Sequence, residues 1–257
     1  GFAQAIIVNS GNANTCNSNG IEIAEGMCSL VEGVSGIASD DVIVGSTGVI
    51  GQKLDLTPMR EHIAELYDGL GDRSTAAAEA IMTTDTVKKE VAVQFVLDGK
   101  KCRLGGIAKG VGMVCPNMAT NLIFLTSDVA ITPQMLQKAL SVDVGSSFNM
   151  VSVDGDQSTN DTCCIMANGL AGNTEINSDN ASFKRFAKAL NYCTVKLSKM
   201  LAKDGEGATK LIECTVTGAK SLKAARTVCK SVIKSSLVKA AMFGADANWG
   251  RVLCAIG

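Results

Sequence analysis

Residues 109–126 raise a chemical question. A Gly-led loop, Lys109-Gly110-Val111-Gly112-Met113-Val114-Cys115, runs into Pro116-Asn117-Met118-Ala119-Thr120, and an apolar, strand-like run over 122–126 follows at once. Most threonines at such a seam cap a turn or begin a strand. A threonine there also has a second chemistry open to it. If the bond between Ala119 and Thr120 breaks, the freed α-amine, with an ordinary pKa of about 7.7–8.0, lies beside its own hydroxyl and serves as its base. The Thr120 hydroxyl can begin that break itself by attacking the Ala119 carbonyl, given a strained peptide and donors for the oxyanion. The chain has a single histidine, His62, set in a helical pattern over 57–66 that opens with Thr57 as cap and Pro58 in the first turn. Any Ser–His or Cys–His pair would have to use it, so an acyl-transfer base here is read as something other than histidine.

Other loops past strand-like runs combine glycine with small hydroxyl, amide and acidic residues. They are Ser10-Gly11-Asn12-Ala13-Asn14, Gly45-Ser46-Thr47-Gly48-Val49-Ile50-Gly51, residues 154–161 and Asp204-Gly205-Glu206-Gly207-Ala208-Thr209. Singly each reads as a turn; together with 109–120 they read as a site gathered at strand ends. The 45–51 loop lacks the lysine of a phosphate-binding P-loop and the GxGxxG order of a dinucleotide fold, which argues against nucleotide binding. A strand-ending hydroxyl plus a backbone N–H there makes a workable oxyanion hole. The 204–209 loop lacks the further acids of a calcium loop, and Glu206 reads as an amine ligand or an acid/base group.

These loops need a scaffold. The chain has 257 residues, 46% of them hydrophobic but only 4% aromatic, so its core must be aliphatic. Strands are expected over 3–8, 41–44, 122–126, 149–153, 211–216 and 238–242, and a hairpin over 91–97 and 102–107 around Asp98-Gly99. Helices are expected over 21–34, 57–69, 73–82, 132–140, 182–202 and 220–234, with another running from 161 to about 168. Such a mixture is α/β or α+β. A net charge of −1 argues against a nucleic-acid partner. No apolar run reaches the roughly 18 residues of a membrane span. Ten cysteines without a CxxC pair read as reduced, buried thiols in a reducing compartment, not as a metal or disulfide framework. The chain begins at Gly1 in a strand-like run and stops at Gly257 in an apolar one, which reads as part of a longer protein.

The motif set resembles the ornithine acetyltransferase (glutamate N-acetyltransferase, ArgJ) family. The likeness rests on 109–120, on the 10–14, 45–51 and 204–210 loops, and on Met82-Thr83-Thr84-Asp85-Thr86. It continues through Asp154-Gly155-Asp156, Ser158-Thr159-Asn160-Asp161 and residues 244–251, in family order across nearly the whole chain. The resemblance implies cleavage between Ala119 and Thr120, with Thr120 as nucleophile and Thr47 and Gly48 as oxyanion hole. It implies that Thr83, Lys109, Thr120 and Glu206 bind substrate, with Thr84 an equally placed neighbour of Thr83. An acetyl group would pass from N2-acetylornithine to Thr120, releasing ornithine, and then to glutamate, giving N-acetylglutamate. No metal or organic cofactor is implied, and acetyl-CoA is a second acetyl donor in some members. The implied fold is a two-part α/β architecture, 1–119 and 120–257, whose pieces stay intertwined and pair as an α2β2 heterotetramer, in the cytoplasm or, in fungi, the mitochondrial matrix. Val111 stands where the family has a small Ser, and Asn121 where it has an apolar residue. Family members continue past both ends, and their last segment adds an Asn and a Thr to the site. Two other readings remain: a related self-processing aminopeptidase or amidohydrolase that passes the acyl group to water, and a small-molecule binding domain in which Thr120 is inert.

Overall fold

The computed structural model describes residues 1–115 and 121–257. Ala119 and Thr120, and with them the expected cleavage site and nucleophile, lie outside the described residues.

The fold is mixed α/β, with helices flanking two sheets. Strands β1 (Ala5–Asn9) and β2 (Val42–Ser46) run parallel, joined through helix α1 (Gly20–Ser35). The second sheet has the order β3 (Lys89–Leu97), β4 (Lys100–Lys109), β5 (Leu122–Ser127), β6 (Thr162–Ala167). Its first two pairings are antiparallel and its last is parallel. A parallel pair needs a crossover, and helix α4 (Pro133–Val144) lies within the β5–β6 connection.

Period-two alternation sorts the strand residues into layers. Ile7 of β1 packs with Ile23 and Met27 of α1, and Met59 and Ile63 of α2 (Thr57–Asp68) join them. The neighbouring Ile6 and Val8 turn the other way and pack with Leu122 and Phe124 of β5 and Ile107 of β4. On β5, Ile123 and Leu125 point away from that layer into the largest core, shared with α4 and with α5 (Ala181–Lys203). Helix α5 buries Phe183, Phe186, Leu190, Cys193, Leu197 and Leu201, spaced by three and four so that they form one stripe. Its start is set by Asn180, whose side chain accepts the Phe183 N–H at 2.9 Å. Two apolar sheet faces thus meet each other, and helices cover the outer faces.

The hairpin forms as read and extends further at both ends. Asp98 and Gly99 both have positive φ, 50° and 75°, as a two-residue turn between right-twisted strands requires. The expected boundary at 119/120 falls between two strands of one sheet: β4 precedes it, β5 follows it, and the two are hydrogen-bonded neighbours.

The structure corrects several local expectations. Residues 162–167, read as a helix, form β6. The run is short, and its backbone groups are satisfied by pairing with β5 from Leu122↔Thr162 to Ser127↔Ala167. Residues 149–153, read as a strand, begin in a 3-10 turn at Phe148–Met150 anchored by the fully buried Phe148. Residues 211–216 join no ladder among the described residues. Residues 238–242, read as a strand, lie in α7 (Ser236–Phe243), because Ser235 caps the Val238 N–H at 3.3 Å and Ala240-Ala241 favours a helix. The fold is completed by α3 (Ser74–Ala80), α6 (Leu222–Lys234) and α8 (Trp249–Ile256). Helix α2 takes its start signal from Asp55, whose carboxylate accepts the Thr57 N–H at 2.9 Å, not from Thr57 itself.

Phe186 has no solvent exposure, whereas Tyr192 on the same helix is 54% exposed. Phe186→Ala is expected to cost about 3–5 kcal/mol in urea unfolding, and Tyr192→Ala within about 0.5 kcal/mol of nothing. Equal effects would mean that the α5 stripe is not the main core.

Candidate active site

Lys109 ends β4, and its register partner on β5 is Leu122. Its side chain is buried, and Nζ donates to Thr83 Oγ1 at 2.9 Å and to Thr47 Oγ1 at 3.2 Å. Three residues singled out in the sequence thus touch, though they come from the end of β2, the turn after α3 and the end of β4. Burial pulls the Lys109 ammonium below the ordinary lysine range. The nearby Asp85 carboxylate opposes that pull, the Lys89 charge adds to it, and Glu206 opposes it again.

Thr47 and Gly48 follow β2 directly. The Thr47 N–H is committed to the Asn9 carbonyl at 2.9 Å, so what Thr47 offers a ligand is its side chain. Because Lys109 donates to that oxygen, the hydroxyl hydrogen is left to point elsewhere. Gly48 has φ +118°, and a Cβ there would lie 2.2 Å from the Gly11 carbonyl oxygen. Only glycine fits, and its N–H has no partner among the described residues. Thr47 and Gly48 thus hold a hydroxyl and an N–H, the donor types an oxyanion hole uses.

Glu206 lies three residues past the end of α5. Its carboxylate accepts the Thr84 hydroxyl at 2.7 Å, and its N–H donates to the Val111 carbonyl at 2.9 Å. The two neighbouring threonines are therefore distinguished: Thr83 serves Lys109 and Thr84 serves Glu206. The Glu206 carboxylate also lies over Gly112, where a Cβ would come within 2.9 Å of Oε1. A cleft of about 410 Å³ is lined by Glu206, Val153, Lys199, Thr209 and Phe243, but not by Lys109, Thr47 or Thr83.

The other loops close around this group. Asn160 Nδ2 donates to Asn14 Oδ1 at 2.7 Å, and Ser10 Oγ donates to the Ala80 carbonyl at 2.7 Å. Asp154 holds the loop leading to the seam: its carboxylate accepts the Met113 N–H at 2.5 Å and the Val114 N–H at 2.9 Å. Asn121, bonded to Thr120, is buried with neither side-chain polar atom partnered among the described residues. Asp161 precedes β6, one step from the Leu122↔Thr162 pair, and Oδ1 likewise lacks a partner among the described residues. Burial pushes its carboxyl up to about 8, so it is mostly protonated at neutral pH.

Sequence reading missed the roles of Asp85, Lys89, Asp154 and Asp161. Asp85 and Asp154 stood in quoted motifs, and a carboxylate amid small turn residues is a signal for bonding to backbone N–H groups. Lys89, in Lys88-Lys89-Glu90, carries no such signal: it reads as solvated yet is fully buried. His62 stands on α2, 64% exposed, with Nδ1 3.2 Å from Glu65 Oε2. Among the described residues no three His, Cys, Asp or Glu side chains assemble into a metal-ligand set. No disulfide joins any two cysteines among the described residues, and Cys16 and Cys254 are exposed, not buried as read. No helix among the described residues is long and apolar enough to cross a membrane.

Comparison with known proteins bears on the family. The ArgJ family model matches residues 1–257. The arginine biosynthesis bifunctional protein ArgJ 1 of Clostridium acetobutylicum is 51% identical over 255 residues, covering 98% of this chain and 62% of that protein. The glutamate N-acetyltransferase of Methanocaldococcus jannaschii is 47% identical over 258 residues, covering 99% and 63%. The crystal structure of the ArgJ protein of Bacillus halodurans matches with a TM-score of 0.51 at 49% identity, covering 52% of this chain and 63% of that one. The chain thus spans a little under two thirds of the length of these curated relatives. On motif order, residue contacts and extent of match together, the chain belongs to the ArgJ family.

Proposed function

We propose that the protein containing this chain transfers an acetyl group from N2-acetylornithine to glutamate through an acetyl-threonine at Thr120. The observation that carries this reading is the cationic Lys109 held between Thr47 and Thr83, with Glu206 in the adjoining loop. An acetylated amino acid brings a carboxylate for Lys109. Its free amine, or that of an incoming acceptor, suits Glu206.

In the proposed sequence, Thr120 Oγ attacks the Ala119 carbonyl, the Ala119–Thr120 amide becomes an ester, and water hydrolyses it. The products are a carboxylate on Ala119 and a free α-amine on Thr120. That amine then takes the Oγ proton as Oγ attacks the acetyl carbonyl of N2-acetylornithine. The oxyanion is met by the Thr47 hydroxyl and the Gly48 N–H, the proton passes to the leaving nitrogen, and ornithine departs. The amine of glutamate attacks the acetyl ester, forming N-acetylglutamate and restoring Thr120. The residues named need neither metal nor organic cofactor for these steps, and acetyl-CoA would enter only as another donor. Because β4 and β5 pair across the seam, the pieces 1–119 and 120–257 would stay associated after cleavage, and an α2β2 heterotetramer is the proposed assembly. A reducing compartment, cytoplasmic or in a fungus mitochondrial, suits ten cysteines with no disulfide among the described residues.

Intact mass of the full-length protein under denaturing conditions tests the core of this. Two pieces separated between Ala119 and Thr120 are expected, and N2-acetylornithine should add one acetyl group to the piece beginning with Thr120. Thr120→Ala should stay uncut and transfer nothing; transfer by that variant would sink the mechanism. Release of free acetate in place of N-acetylglutamate, with glutamate present, would favour a hydrolase.

Thr47→Ala is expected to lower kcat by about 10²-fold, the loss of one oxyanion donor. An unchanged kcat would remove Thr47 from the oxyanion hole.

Carboxylate binding by Lys109 needs its protonated form. The folded-state pKa is lowered from 10.5, so binding is present below the lowered value and is lost as pH rises through it. The KM for glutamate should therefore climb before pH reaches the ordinary lysine range, and Lys109→Met should raise KM at neutral pH and flatten that dependence. A wild-type KM that is flat to pH 10.5 would refute the assignment.

A further inference from the structure

Behind Lys109 lies a second lysine with no access to solvent. Lys89, the first residue of β3, donates from Nζ to Asp85 Oδ1 at 2.6 Å, to Asp204 Oδ2 at 2.6 Å and to the Val87 carbonyl at 3.1 Å. All three donor positions of the ammonium are used. The two carboxylates are in turn filled from the backbone. Asp85 accepts the Gly110 N–H at 3.0 Å and the Thr83 N–H at 3.2 Å. Asp204 accepts the Thr86 N–H at 3.0 Å, the Val87 N–H at 3.4 Å and the Thr86 hydroxyl. Burial pushes the Asp85 carboxyl up, but the Gly110 N–H and the Lys89 ammonium outweigh it, and the group stays below its usual range. Asp204 follows the same course through Lys89 and Thr86. Both carboxylates therefore remain charged at neutral pH.

The cluster joins three separate pieces of chain: the 83–87 turn, the end of β4 and the end of α5. Each carries a residue of the proposed site within two positions. Thr83 donates to Asp85, and Thr84 lies beside it. Gly110 follows Lys109. Glu206 is two residues past Asp204. Bulk stability does not explain such an arrangement, because a buried ion pair replaced by apolar groups of like volume is often no less stable. A fixed geometry does explain it, since ammonium and carboxylate partners accept few alternative arrangements.

We infer that Lys89 is a positioning residue for amino-acid binding: its buried ammonium, shared by Asp85 and Asp204, locks three loops so that Lys109 and Glu206 meet the substrate together. The inference rests on the proposed transferase reading for its substrate, not for its geometry. Lys89 touches no substrate in this scheme and acts only through Lys109, Thr83, Thr84 and Glu206.

The test uses the full-length protein and its Lys89→Met and Asp204→Asn variants. Transfer from N2-acetylornithine to glutamate is measured per cleaved active site. Lys89→Met is expected to raise both KM values at least tenfold while kcat changes less than threefold, and Asp204→Asn to raise them about threefold. A variant that loses thermal stability but keeps wild-type KM values would overturn the inference, since a purely structural lysine behaves that way. Crystal structures of the variants supply a readout independent of activity. The Thr84–Glu206 and Lys109–Thr83 hydrogen bonds should be broken in Lys89→Met; their retention would also overturn the inference. Should Lys89→Met fail to fold, Asp204→Asn carries both measurements. If the wild-type protein transfers no acetyl group, the proposed function falls, and the crystal structures still decide the role of Lys89.

Discussion

Two lysine ammonium groups lie out of water with one carboxylate, Asp85, acting on both. Neither cation would be tolerated there alone, because an unpaired buried charge costs more than most single interactions return. Asp85 is fixed in turn by N–H groups on both sides of the site, from Thr83 and from Gly110. The rest of the site follows from this constraint. With Lys109 held charged but short of solvent, its remaining partners are the hydroxyls of Thr83 and Thr47, weak enough for a substrate carboxylate to displace. A carboxylate partner would have tied the lysine into a closed ion pair, as Lys89 is tied to Asp85 and Asp204.

The layered fold explains why these particular loops converge. In β1 and β2 one strand face meets α1 and α2 while the other meets the second sheet, so the ends of β2 and β4 come to lie side by side. Helix α5, packed across β3 and β4, delivers the residue that follows it, Asp204, to the start of β3. Glycine at 48 then allows the 10–14 loop an approach no side chain permits, and glycine at 112 leaves room for the Glu206 carboxylate.

Much of this was legible in the residues. The Asp98-Gly99 hairpin and the α5 stripe are local signals, each carried by a handful of adjacent positions. The short apolar runs at 162–167 and 238–242 were misread in opposite directions because length and hydrophobicity alone do not separate a buried strand from a short helix. Pairing with β5 decided the first, and a serine cap decided the second. The candidate site positions Thr47, Thr83, Lys109 and Glu206 were legible through their motifs, but their contacts were not. Thr84 and Glu206 are separated by 122 residues, and Lys89 and Asp204 by 115, so only the folded topology pairs them. Lys89 was illegible for a further reason: the order Lys88-Lys89-Glu90 looks like any solvated strand edge, and nothing local reports that alternate residues face opposite dielectric environments.

The sheet that runs through the seam has a consequence for how such a protein lives. While the 110–121 connection is intact, β4 finds β5 within one molecule, and closing that loop costs only a modest, slowly growing entropy. Once the connection is cut, the same pairing becomes an encounter between two molecules at whatever concentration they share. The proposed maturation step is therefore one-way in a sense beyond its chemistry. The precursor folds as a chain, but a mature molecule that unfolds has lost the tether that brought its strands together. Its lifetime is then set by the rate at which it comes apart, and synthesis of new precursor, not refolding, is what replaces it.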